Sequence, residues 1–135
     1  MKPLLILTDL NIHFETLERC LAQIGMPHYP KGYYLSRDTL KTVMGKSQSF
    51  FEQICEENLY SGVIITFPDK NDGQQAKFKK LEHIARANVL PIIFLCNIER
   101  GYLDDAPAKE NFLCLEELNL ELPQMLIDKG LIVVK

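Results

Sequence analysis

The sequence lacks the segments that most nucleotide-binding and membrane proteins require. It contains no GxGxxG segment and no GxxxxGK[ST] segment, so the usual phosphate-binding loops are missing. Its longest apolar runs, such as residues 89–96, are far too short to cross a bilayer. The net charge is -3, which does not favour binding to nucleic acid. These absences argue against Rossmann and P-loop chemistry, membrane insertion and a nucleic-acid partner.

The chain also lacks cysteine pairs at the CxxC spacing of zinc and redox sites. Its four cysteines are far apart, and each lies in an apolar stretch: Cys20, Cys55, Cys96 and Cys114. The three histidines share no metal-ligand spacing. A nucleophilic Cys96 would need an activating base, and no histidine lies near it in sequence. We therefore predict buried thiols in a reducing, cytoplasmic compartment, with no catalytic residue, no metal and no cofactor.

Apolar runs alternate with helical patterns along the whole chain. The predicted strands are residues 3–8, a broken strand within 26–36, and residues 63–67, 91–96 and 112–115. The predicted helices are residues 14–24 with a C-cap at Gly25, 38–43, 49–58, 72–88, and a last helix that has Pro123 in its first turn and closes at Gly130. Three of them carry an apolar stripe, formed by Phe14, Leu17, Leu21 and Ile24, by Phe50, Phe51, Ile54 and Cys55, and by Phe78, Leu81, Ile84 and Ala85. Residues 131–134 predict a last short strand.

These elements together predict the fold class. The strands are apolar throughout rather than alternating, which indicates that both faces of the sheet are covered. Strands that alternate with helices indicate parallel pairing. We therefore predict a single α/β domain, residues 1–135, with a three-layer α/β/α architecture. Its central, mainly parallel sheet has five strands and is flavodoxin-like.

The candidate binding residues follow the predicted strands. In an open parallel sheet, ligands bind beyond the carboxyl ends of the strands. The residues at or just after those ends are Asp9, Asn11, Phe67, Asp69, Asn97 and Glu116. Because the set is acidic and amide-bearing, it favours a cation or a metal-bound ligand over a free phosphate.

The strand pattern resembles the receiver domain of two-component response regulators. Residues 4–9 (LLILTD) and 62–67 (GVIITF) are similar to the first and third strands of that family. Residues 90–96 (LPIIFLC) and 112–115 (FLCL) are similar to the fourth and fifth strands, and their separations suit the family. The resemblance implies an aspartate that ends the third strand and accepts a phosphoryl group. It also implies two Mg²⁺-binding acids after the first strand, a Ser/Thr after the fourth and a Lys-Pro after the fifth.

The chemistry of the receiver family does not carry over to this sequence. Phe67 stands where the phosphoryl acceptor would be, and Asp9 is the remaining member of the acidic pair. Cys96 stands at the Ser/Thr position, and residues 115–117 (LEE) replace the lysine with acidic side chains. Phenylalanine cannot be phosphorylated, and an acidic rim repels a phosphoryl group. Asp69, two residues beyond Phe67, is the alternative acceptor.

Two functions follow as expectations. The first is a non-phosphorylated, receiver-like signalling or regulatory domain that acts by protein–protein interaction, with another protein or a second copy of itself as partner. The second is a flavodoxin-like domain that binds a small ligand or metal at the strand rim, with or without enzymatic activity. An open cleft at the rim would favour the second function, whereas a rim filled by Phe67 would favour the first. The basic run at residues 77–80 (KFKK) is interpreted as a solvated helix face.

Overall fold

The fold was analysed in a computed structural model of the chain. The residues that the structure describes are 2–8, 11–23, 33–34, 48–67, 78–96, 100–102 and 106–132. The predicted helix at residues 38–43 and the predicted helix cap at Gly25 lie outside these ranges.

The described strands form one all-parallel sheet. They are β1 (Leu4–Thr8), β2 (Tyr33–Tyr34), β3 (Gly62–Phe67), β4 (Ile92–Cys96) and β5 (Phe112–Cys114). Their order across the sheet is β2-β1-β3-β4-β5, and every pair is parallel. Four strands have three to six residues, whereas β2 has only two, so the predicted second strand is reduced to a short edge pairing.

The helices follow the strands along the chain. Those that the structure describes are α1 (Asn11–Gln23), α2 (Gln48–Glu56), α3 (Phe78–Ala87) and α4 (Leu118–Asp128). Within the same ranges, three short 3-10 turns are found at Arg100–Tyr102, Lys109–Asn111 and Leu115–Glu117. The protein is therefore an α/β protein whose parallel sheet is compatible with a flavodoxin-like fold.

The strands bury both of their faces because alternate side chains enter two separate cores. In β1, Leu5 and Leu7 pack with residues of α2 and α3, whereas Leu4 and Ile6 pack with residues of α1 and α4. In β4, Phe94 joins the first core and its ring centroid lies 4.7 Å from that of Phe78. The prediction that the strands are covered on both faces is confirmed for this part of the sheet, and helices form a layer on each side.

The apolar helical stripes were predicted correctly where the structure describes their side chains. The predicted core residues that are buried are Leu17, Leu21, Phe51, Ile54, Cys55, Phe78, Leu81, Ile84 and Ala85. Lys79 and Lys80 are exposed, as expected for a solvated face. The driving force for each helix is therefore the burial of one apolar stripe against the sheet.

The last predicted helix is present, but the prediction that Pro123 lies in its first turn was wrong. The helix begins at Leu118, so the proline lies inside α4. Proline removes one backbone donor near the helix start, and the complete burial of Leu122 and Leu126 outweighs that loss.

The predicted last strand is also wrong for the part that the structure describes. Leu131 and Ile132 form a bend after α4, and Leu131 packs under the start of β3. A Cβ atom added at Gly62 would lie 3.3 Å from Leu131 Cδ1 and 3.2 Å from the carbonyl oxygen of Pro91. The absence of a side chain at Gly62 therefore leaves room for Leu131 in the core.

Two helices end with the same hydrogen-bonded turn but with different residues at its left-handed position. After α4, Gly130 has a φ of 73°, and the Leu131 amide donates to the Leu126 carbonyl at 2.9 Å. After α3, Val89 has a φ of 54°, and the Leu90 amide donates to the Ala85 carbonyl at 2.9 Å. Both are Schellman turns, in which glycine is the favoured residue. Val89 is therefore strained, because a β-branched residue is rare in this conformation.

None of the helices within the described ranges combines the length and the apolar character needed to cross a bilayer.

Candidate functional site

The carboxyl ends of three strands lie in register at one edge of the sheet. Phe67 pairs with Cys96 across β3 and β4, and Cys96 pairs with Cys114 across β4 and β5. The edge thus carries a row of one aromatic residue and two thiols at the level where parallel sheets bind their ligands.

The structure describes only part of the candidate rim. Asp9, Asp69 and Asn97 lie outside the described residues. Asn11 begins α1, and Phe67 is the last residue of β3. Glu116 is exposed on the 3-10 turn that follows β5. The rim therefore stays a prediction, with the backbone of three of its six residues described: Asn11, Phe67 and Glu116.

The two thiols of the row have different access to solvent. Cys96 is 1% exposed and belongs to the core under α2 and α3, whereas Cys114 is partly exposed on the edge strand. Burial, and then the nearby Cys114, raise the pKa of the Cys96 thiol to about 12. Cys96 is therefore a protonated, packed thiol in the folded protein, as the sequence predicted. Its position directly opposite Cys114 was not predicted.

A second set of polar residues lies at the opposite end of the sheet. Glu82 of α3 is 7% exposed, and its Oε2 atom accepts a hydrogen bond from the Asn111 side-chain amide at 2.6 Å. The same oxygen accepts the backbone amide of Ala108 at 2.9 Å. Lys129, just after α4, donates from Nζ to the Asn111 side-chain oxygen. A chain of polar contacts, buried at Glu82 and Asn111 and partly buried at Lys129, therefore runs from α3, past the start of β5, to α4. We call Glu82, Asn111 and Lys129 the polar chain.

The polar chain orders the connection between β4 and β5. Two 3-10 turns are found in the described part of this connection, and no α-helix. Glu82 holds its second half through Ala108, and the Arg100 guanidinium donates from Nε to the Pro107 carbonyl at 2.6 Å. Side-chain hydrogen bonds thus supply the anchoring that a packed helix supplies elsewhere in the fold.

The environment of Lys129 combines burial with mixed charge. Burial lowers the pKa of the Lys129 amine, and the positive charge of Arg86 acts in the same direction. The carboxylates of Glu110 and Glu82 oppose this shift. These side chains line a cavity of about 340 Å³ that also contacts the strained Val89. The volume lies at the lower end of the range found for small-molecule sites.

The polar chain could have been suspected from one signal in the sequence. Glu82 lies four residues after Phe78, on the stripe of α3 that faces the core. A carboxylate at such a position is rarely buried without partners. Its side-chain partner Asn111 is 29 residues away along the chain, and Lys129, which contacts Asn111, is 47 residues away. No local pattern connects either residue to Glu82.

Within the described ranges, no three His, Cys, Asp or Glu side chains are grouped so that they could hold a metal ion.

The sequence matches no protein-family model, and no curated protein or solved structure matches it significantly. Any function proposed for the chain therefore rests on the geometry of the fold, of the strand ends at Phe67, Cys96 and Cys114, and of the polar chain.

Proposed function

We propose that this chain is a receiver-like signalling or regulatory domain that does not accept a phosphoryl group and acts by binding a protein partner. In this proposal the chain has the three-layer, flavodoxin-like architecture of a receiver domain. The compartment is the cytoplasm, which suits four cysteines that are all free thiols.

One observation carries the proposal. β3 ends at Phe67, and Phe67 pairs with Cys96 in the parallel register of β3 and β4. In the receiver family these two strand ends supply the phosphoryl acceptor and a hydroxyl group. Phenylalanine offers no oxygen for phosphoryl transfer. A sheet with the strand order of a receiver but this residue pair at its edge favours a role in contact rather than in catalysis.

The surface of α4 supports a contact role. Leu120 is 84% exposed, and it lines a shallow groove together with Met125 and Gln124. The exposed leucine and the partly exposed methionine give α4 a small apolar surface for a partner to cover. We therefore expect α4 to take part in the contact with the partner.

The first test combines native mass spectrometry with a small phosphodonor. The purified chain would be measured with and without Mg²⁺ and acetyl phosphate. We expect no covalent phosphoryl increment, and either a doubled mass or a complex with a co-purified protein. A phosphoryl increment on Asp9 or Asp69 would contradict the proposal. A co-purified small molecule would instead favour the ligand-binding alternative.

The second test locates the contact. A photo-crosslinking residue would be placed at position 120 on α4 and, as a control, at position 79 on the exposed face of α3. We expect a discrete cross-linked product from position 120 and none from position 79. Equal, diffuse cross-linking from both positions would argue against a specific contact on α4.

A further inference from the structure

Cys96 and Cys114 are direct neighbours on β4 and β5 and point to the same face of the sheet. Their Cα atoms are register partners. Phe112, two residues before Cys114, packs against the core that contains Cys96. Because side chains alternate along a strand, Cys114 shares the face of Phe112. The register and the alternation therefore bring the two thiols side by side, although 17 residues separate them in the sequence.

We infer that Cys96 and Cys114 form a two-thiol site that a peroxide converts into an intramolecular disulfide. The site lies at the carboxyl edge of the sheet. The inference that its two thiols form a disulfide does not depend on the proposed receiver-like role. Its ligand class is a thiophilic electrophile.

The backbone geometry allows the bond. Neighbouring strands lie about 4.7–4.9 Å apart, whereas the Cα atoms of a disulfide are about 4.4–6.8 Å apart. The Cβ atoms must approach each other to within about 3.5–4.5 Å, which requires a small movement. β5 has only three residues and pairs with β4 on one side, so a local shift of this edge strand disturbs few ladder bonds within the described sheet.

The two thiols suit the two steps of the reaction. Cys114 is partly exposed, so its thiolate can attack the peroxide and become a sulfenic acid, with release of one water molecule. The Cys96 thiol then loses its proton and attacks the Cys114 sulfur, and the sulfenic hydroxyl leaves as a second water molecule. Two thiols and one hydrogen peroxide thus give one disulfide and two water molecules.

The test measures thiol loss in the native protein. The reduced chain would be treated with hydrogen peroxide, unfolded, and alkylated with N-ethylmaleimide before intact-mass and peptide analysis. We expect the number of alkylated thiols to fall from four to two, with one peptide link between Cys96 and Cys114. The result that would overturn the inference is a Cys114 sulfinic acid while Cys96 remains alkylatable.

Matched variants separate this pair from the other thiols. Cys20 and Cys55 are buried on α1 and α2, and burial raises the pKa of both. A C20A/C55A variant is expected to keep the link, whereas C114S is expected to lose it and to keep Cys96 reduced. A link that persists in C114S, or that is lost in C20A/C55A, would overturn the inference.

A second probe requires no oxidation. Phenylarsine oxide bridges two thiols that lie close together, and it is expected to bind the reduced wild-type chain in a one-to-one ratio and to protect Cys96 and Cys114 from alkylation. Absence of this protection in the folded protein would contradict the side-by-side geometry.

Discussion

Replacing Val89 with glycine is expected to stabilise the protein. Val89 holds a φ of 54° at the end of α3, a conformation that costs an L-residue about 1–2 kcal/mol and costs glycine nothing. Its side chain is 89% exposed, so little burial is lost on truncation. Glycine also makes the unfolded chain more flexible, which offsets about 0.4–1 kcal/mol of the gain. The net expectation for V89G is a gain of about 1 kcal/mol.

The chain contains its own reciprocal control at Gly130. This glycine occupies the same position of the same turn, and a Cβ atom added there meets nothing within 4 Å. G130V is therefore expected to destabilise the protein by about 1–2 kcal/mol through backbone conformation alone. V89A should fall between wild type and V89G, because alanine lacks the β-branch but keeps the Cβ atom.

Urea unfolding monitored by circular dichroism would give the free energies. A gain of 1 kcal/mol corresponds to a rise in Tm of about 3–5 °C for a domain of this size. If G130V is destabilised while V89G is no more stable than wild type, the reasoning is refuted for Val89. Its side chain must then make a contact that compensates the strain, and the adjoining cavity becomes the place to look for it.

Three further outcomes are expected. E82A should lower the free energy of unfolding in urea by about 2–4 kcal/mol, because the side-chain amide of Asn111 and the backbone amide of Ala108 lose their acceptor. H83A, on the exposed face of the same helix, should change it little. L122A should lower the free energy of unfolding by about 2–5 kcal/mol, and L120A by less than about 0.5 kcal/mol, because Leu122 is buried and Leu120 is exposed on α4. Equal losses would contradict the described orientation of the helix. Burial raises the pKa of the Cys96 thiol from 9.0 to about 12 in the folded protein, so this thiol ionises at a lower pH in the unfolded chain. The stability that the protonated thiol contributes is therefore lost as the pH rises from 9 towards 12. Over this window the difference in unfolding free energy between wild type and C96A should decrease by about 1.4 kcal/mol per pH unit, and a constant difference would show that Cys96 ionises normally.

Local patterns in the sequence were sufficient for the parts of the fold that depend on local burial. The stripes of α2 and α3 and the apolar strands β3 and β4 follow from periodicity, because each element needs only one or two faces covered. Gly130 was predicted as the end of the last helix for the same local reason. The start of that helix was missed because Pro123 is a typical first-turn residue, although Leu122, one residue earlier, is already buried.

The polar and thiol contacts were not predicted because they depend on register. Cys114 lies opposite Cys96 only because β5 pairs with β4 in one particular alignment. Asn111 likewise reaches Glu82 because it immediately precedes the first residue of β5. A shift of one residue in that strand would turn each of its side chains to the other face, and composition does not encode such an alignment.

The polar chain has a consequence for how the protein opens. α3 and α4 cover opposite faces of the sheet, so their apolar side chains belong to separate cores. The contacts of Asn111 with Glu82 and with Lys129 connect these two layers directly. Detaching either helix breaks a hydrogen bond to Asn111 and leaves a charged or amide group without its partner. The two helix layers are therefore coupled into one cooperative unit. In native-state hydrogen exchange, the amides of α3 and α4 should share one opening free energy in the wild type and show two different values in E82A.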